Sequence, residues 1–157
     1  MSIRHICVVT ETYLPEVNGV ANSLQHLFTH LNSDLYQVSI VRPAPRVDMD
    51  VPNNEVWVKG ISIPQYPDLQ LGLPSKTALR SHWKATPPDL VYVATEGLLG
   101  ASAVSLAREY NLSGIEDNAQ APSATYKGRY AGTIGDIGVF SLNCHKHIQT
   151  GEGGIAV

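Results

Sequence analysis

The chain is poor in cysteine, poor in aromatics and short of positive charge. Only Cys7 and Cys144 occur in 157 residues. Two thiols do not make a disulfide framework, so a cross-linked secreted scaffold is excluded and a reducing, cytoplasmic setting is expected. Eleven Lys and Arg face fourteen Asp and Glu, a formal net charge of −3. With no basic surplus to neutralise phosphates, nucleic acid is not an expected partner. No apolar run approaches the ~20 residues that a membrane-spanning helix needs. The first six residues lack the apolar stretch of a secretory leader. What is present is 43% hydrophobic and 16% charged, enough to bury the core of about one domain.

The first two thirds alternate strand and helix signals. Residues 4–10 form an apolar, β-branched run that predicts a buried parallel strand. A turn over residues 11–19 follows. Val20, Leu24, Leu27, Phe28 and Leu31 then recur at helical spacing, with Asn18 as the expected cap. Residues 36–41 predict a second strand. Residues 43–75 are rich in proline and polar residues, with short strands expected at 56–58 and 61–63. Ser75 is placed to cap a helix to Lys84 with Leu79 and Trp83 inward, ended by Pro87 and Pro88. Residues 89–94 predict another parallel strand, and residues 98–110 a helix rich in Ala and Leu. This order opens a doubly wound α/β sheet of Rossmann type.

Ligands of such sheets lie at the carboxyl ends of the strands. The loops 11–19 and 95–97 are therefore the candidates. Gly19 allows close backbone approach, and the helix N-terminus behind it favours an anion. One glycine is not a Gly-x-Gly-x-x-Gly fingerprint, so on spacing alone a plain turn glycine stays open.

Three separated stretches, TETYLPEVNGVANSLQHL (10–27), PQYPDLQLGLPS (64–75) and PPDLVYVATEGLLGASAVSLAREYNL (87–112), resemble retaining GT-B glycosyltransferases. These have two Rossmann-like lobes and transfer hexose or mannose from a nucleotide sugar to a lipid or glycan acceptor. The resemblance implies that residues 1–112 are an N-terminal, acceptor-side lobe. It implies substrate contacts at Asn18 and Gly19, and at Glu96 and Gly97. No counterpart of the donor-binding lobe is recognised.

The remaining stretch reads differently. Residues 124–131 predict a hairpin around Lys127 and Gly128, residues 137–142 a strand, and 151–154 a tight turn. IEDNAQAPSATYKGRYAGTIGDIGVFSLNCHKHIQTGEGGIAV (115–157) resembles the DegT/DnrJ/StrS-type sugar aminotransferases, which use pyridoxal phosphate. The resemblance makes Lys146 the catalytic amine, forming an aldimine with the cofactor aldehyde. It makes Asp117 the carboxylate that keeps the pyridine nitrogen protonated. It places Gln120 near the ring hydroxyl and Ser141 on the phosphate. Cys144, His145 and His147 fall in the lysine-bearing loop, and no metal site is expected.

The two stretches meet near residues 112–115 without a Pro/Gly/Ser-rich linker, so they are not two tethered domains. The expectation is a chimera of 1–112 and 113–157 joined at a helix-to-strand step, with neither active site complete. Strands at 115–117, 137–142 and 153–157 would extend the first sheet. With no helix predicted after residue 112, one face stays bare and invites self-association.

Overall fold

The computed structural model describes residues 3–64, 66–95, 97–126 and 128–157, with the side chains of Tyr66, Pro67, Asp68 and Tyr126 set aside. Strand β1 (Arg4–Val9) lies between two parallel neighbours, β2 (Tyr36–Pro43) and β6 (Leu90–Val93). Both its faces are covered, which is why Cys7, Val8 and Val9 are all buried. The whole sheet has seven strands in the order β11-β10-β7-β6-β1-β2-β3. Strand β3 (Glu55–Val58) pairs in parallel with β2, while β4 (Gly60–Ile63) and β5 (Tyr66–Gly72) form a separate antiparallel pair. Strand β5 has no sequence counterpart above. Its two-residue alternation is broken by Pro67, and only its pairing with β4 makes it a strand.

Helix α1 (Gly19–His30) begins as expected, with Asn18 Oδ1 accepting the Ala21 N–H. Its contact stripe is narrower than the sequence suggested. Ala21 and Leu24 are buried, whereas Val20 and Leu27 are 36% and 48% exposed. Leu24 packs with Val8 and Ile40 of the sheet, leaving Val20 and Leu27 at the margin.

Helix α2 (Lys76–Ala85) buries Leu79 and Trp83 completely, as the spacing required. The indole N–H of Trp83 donates to Cys7 Sγ at 3.2 Å, and burial pushes the Cys7 thiol up to about 11. Ser75 stands at the N-cap of α2, but its side chain makes no capping bond. It sits at φ −135°, ψ 40°, which turns its hydroxyl back to donate to the Leu73 carbonyl.

Helix α3 (Leu98–Glu109) is rich in small residues, so it lies close to the sheet. A Cβ on Gly100 would come within 2.7 Å of the Thr95 carbonyl. The helix ends through Asn111 in the left-handed region (φ 51°) and the chain enters β7 (Ser113–Asp117), parallel to β6. One continuous sheet therefore runs across the expected junction. The crossover from β7 to β10 (Ile137–Ser141) carries the hairpin β8 (Thr125–Tyr126) and β9 (Arg129–Tyr130) where a helix is usual. Strand β11 (Gly154–Ala156) closes the edge antiparallel to β10. Ile137, Val139 and Ile155 remain exposed on these last strands, as does Val157 just beyond β11. Among the described residues, no helix is long and apolar enough to cross a membrane.

Candidate functional site

Strands β3, β2, β1, β6, β7 and β10 run in parallel. Their carboxyl ends share one edge, and the described candidate residues all follow those ends. Glu96 and Lys127 lie outside the described residues.

At the β1 end, Asn18 uses both ends of its amide internally. Its Oδ1 caps α1, and its Nδ2 donates to Thr12 Oγ1 at 2.7 Å. Gly19 is exposed, and a Cβ there would meet nothing within 4 Å. The loop is braced from beneath by Arg42, which is fully buried. Its guanidinium donates to Glu16 Oε2 and Glu55 Oε2, both at 2.8 Å, and to the Tyr13 carbonyl at 3.2 Å. Removing a partner from such a buried pair costs about 3–5 kcal/mol, so the guanidinium fixes the position of this loop.

At the β6 end, Gly97 is the N-cap residue of α3, without a side-chain cap. Glu11 explains the glycine. Its carboxylate fills the place of a Gly97 Cβ and lies 2.8 Å from that of Gly72, whose N–H donates to Glu11 Oε2. The Glu11 backbone N–H donates to Thr95 Oγ1 at 2.7 Å. Burial pushes the Glu11 carboxyl up to about 7, against the lowering effect of the Gly72 N–H. Its Oε1 is buried and has no hydrogen-bond partner among the described residues.

At the β7 end, Asp117 is held at both oxygens. Oδ1 accepts the Ala119 N–H at 3.1 Å, and Oδ2 accepts the Tyr92 hydroxyl at 3.2 Å. Burial and the Asp117 charge push the Tyr92 phenol up to about 12. Gly97 and Asp117 line one pocket of about 170 Å³, shared between α3 and the β8–β9 region. Gln120 is exposed. Beside Asp117, the buried Glu116 carboxylate accepts the N–H groups of Gly132 and Gly135 and so fastens the crossover over β7.

At the β10 end, Ser141 Oγ accepts the Asn143 N–H at 3.4 Å. Lys146 is half-buried in the next loop, which is closed by Leu142 N–H to Gly153 and Thr150 N–H to Leu142. Among the described residues, the Lys146 amine makes no hydrogen bond or ion pair, and no three metal-ligating side chains converge.

The geometry thus joins Gly97 to Asp117 around one pocket, with Ser141 at the end of the adjoining strand β10 and Lys146 in the loop that follows it. No described hydrogen bond or ion pair links Asp117 to Lys146, or the Gly19 loop to either. Glu11, Tyr92, Arg42 and Glu116 were missed in the sequence. Each acts through a partner on another element, and a single sequence carries no local sign of that. Asp117 and Lys146 have the chemistry that pyridoxal phosphate requires, but neither Ser141 nor Lys146 lines the pocket beside Asp117. Asp117 keeps lone pairs for a pyridinium N–H, and the Lys146 amine is unengaged.

Two families of transferases match this chain. Glycosyltransferase Family 4 matches residues 17–115 and the DegT/DnrJ/EryC1/StrS aminotransferase family residues 101–157. The chain belongs to Glycosyltransferase Family 4 by its larger part, and its remainder carries the aminotransferase likeness. Both matches include residues 101–115, the segment from within α3 into β7. GDP-perosamine synthase of Escherichia coli O157:H7 is 37% identical over 113 residues, 71% of this chain and 26% of that protein. A GDP-mannose-dependent alpha-mannosyltransferase of Corynebacterium glutamicum is 27% identical over 117 residues, 70% of this chain and 28% of that protein. The chain therefore spans little more than a quarter of either relative. The aminotransferase from Psychrobacter cryohalolentis shares the fold, with a TM-score of 0.54 at 21% identity over 99% of this chain and 31% of that one.

Proposed function

We propose that the chain binds a nucleotide sugar or its acceptor along the carboxyl edge and forms one wall of a transferase cleft. Transfer requires donor and acceptor to be held together in a closed cleft. The activity proposed for these 157 residues is therefore binding rather than turnover. The observation that carries this reading is Gly19: it opens α1 with free space above it, on a loop fixed by Asn18 and Arg42. Gly19 stands among the residues matched by Glycosyltransferase Family 4. Calorimetric titration with GDP-mannose tests it. The native chain should bind, Gly19→Val should bind at least ~10-fold more weakly, and Lys146→Ala should be unchanged. Equal binding by Gly19→Val refutes the reading, and no binding by the native chain refutes the nucleotide-sugar half of it.

A second reading is favoured by the carboxylate of Asp117 at the end of β7 and by Lys146, whose amine makes no described hydrogen bond, in the loop after the neighbouring strand β10. The chain would hold pyridoxal phosphate, with Asp117 at the ring nitrogen, Gln120 near the ring hydroxyl and Ser141 toward the phosphate. When bound, the cofactor supplies an aldehyde that an amine captures with loss of water. Lys146 is the amine positioned for that, and Asp117 keeps the ring proton in place. The native chain should then be labelled at Lys146 after borohydride treatment with sub-millimolar cofactor. Two associated expectations are a cytoplasmic setting, supported by the unpaired Cys7 and Cys144, and self-association through exposed Ile137, Val139 and Ile155.

A further inference from the structure

The hydrogen bond from Tyr92 to Asp117 crosses the junction between the two families. Tyr92 stands on β6, within the stretch matched by Glycosyltransferase Family 4 and before the aminotransferase match begins at residue 101. Asp117 ends β7, beyond the last glycosyltransferase-matched residue. In the β6–β7 register Tyr92 faces Ile115 directly. Asp117 is therefore its diagonal neighbour two residues on, on the same face, within reach of a long side chain. The phenol spans that diagonal and donates to Oδ2 at 3.2 Å.

We infer that Tyr92 is a positioning residue for Asp117, fixing the carboxylate so that its remaining lone pairs face a pyridinium N–H. This rests on the cofactor reading above. Asp117 ends its strand, and its own loop supplies one anchor, the Ala119 N–H on Oδ1. One anchor leaves the carboxylate free to swing about that bond. The Tyr92 hydroxyl supplies the second on the other oxygen and so defines the carboxylate plane. The charge on the acceptor strengthens the contact, although 3.2 Å is long for an O–H···O bond. The phenol also stays a donor throughout the neutral range, because burial and the Asp117 charge hold its ionisation near 12.

The experiment uses the full chain with pyridoxal phosphate, comparing native protein, Tyr92→Phe, Asp117→Asn and the double variant. Labelling at Lys146 is measured by borohydride trapping and peptide mass mapping across a cofactor titration, and thermal midpoints are recorded in parallel. Tyr92→Phe keeps the ring and removes only the hydroxyl. The expected result is half-maximal Lys146 labelling at about tenfold higher cofactor, with no further loss when Tyr92→Phe is added to Asp117→Asn. A merely structural role would move the thermal midpoint of all variants and leave the additivity intact. Native-like labelling in Tyr92→Phe overturns the positioning role while sparing the cofactor reading. Labelling scattered over surface lysines in the native chain overturns both. Alkaline absorbance titration gives an independent check that needs no cofactor. The Tyr92 phenol, identified by difference from Tyr92→Phe, should ionise at lower pH in Asp117→Asn. An unchanged value removes the contact on which the inference stands.

Discussion

The two parts of this sheet are held together by different physics. Every buried hydrophobic side chain among the described residues falls between Cys7 and Ala107. The larger cluster joins Cys7, Val9, Val41, Leu79, Trp83 and Leu99, with α2 and α3 packed on one face. Beyond Leu112 the buried side chains among the described residues are Glu116 and Asn118, both polar. That segment is tied on by backbone pairing and by carboxylates that accept backbone N–H groups: Glu116 from Gly132 and Gly135, Asp136 from Gly114. Apolar burial is non-directional and tolerates drift, whereas a carboxylate between two N–H groups demands geometry. The glycosyltransferase-like part is therefore expected to fold as a cooperative core, with the aminotransferase-like part opening at lower free energy.

The sharpest way to break this contrast is Trp83→Ala. Trp83 is fully buried between α2 and β1, and its loss should cost about 3–5 kcal/mol. Urea denaturation should show global loss, including the C-terminal strands, because β7 is paired to β6. Glu116→Ala should act locally instead. It leaves two backbone N–H groups without an acceptor, at roughly 1–3 kcal/mol. Hydrogen exchange should quicken at Gly132 and Gly135 while β1 and β2 stay protected. Equal quickening everywhere would erase the distinction between the two parts.

Gly97→Ala should be destabilising by about 1–3 kcal/mol, because a Cβ there meets the Glu11 carboxylate. Adding Glu11→Ala should recover most of that loss in a double-mutant cycle. The pH response separates two opposing groups. Burial raises the Glu11 carboxyl from 4.5 to about 7. The folded chain then holds more protons than the unfolded chain between those values, and stability falls as pH rises through them. Burial and nearby His5 lower His82 from 6.5, so its contribution is present above pH 6.5 and lost as pH falls below it. Thermal midpoints measured from pH 4 to 8 should lose the first slope in Glu11→Gln and the second in His82→Gln. The smallest effect expected is at Gly19→Ala, within about ±0.5 kcal/mol, since nothing occupies the space of the new methyl group.

Much of the fold was legible in order of elements. Asn18 capping α1, Leu79 and Trp83 pointing inward, and the positions of β7, β10 and β11 all followed from local signals. Those signals are spacing, capping chemistry and runs of β-branched residues, which neighbours in sequence decide among themselves. The candidate site residues Lys146, Asp117, Ser141 and Gly97 come from the two resemblances, and their roles remain proposals. Strand β5 and the redirected Ser75 hydroxyl were not legible, because pairing and backbone direction overrode weak local preferences.

The sequence by itself determined two ancestries, the alternation of strands and helices, and which side chains stand at strand ends. The tertiary structure alone decided what those side chains meet. A Cβ at Gly97 would meet Glu11, and one at Gly72 would meet both Glu11 and Leu99, each distant in sequence from the glycine it would touch. Arg42 braces the Gly19 loop from another strand, and Tyr92 reaches Asp117 because parallel pairing sets them on one face. Local chemistry is written in adjacent residues. A contact between distant ones exists only once the sheet register has brought them within a few ångströms.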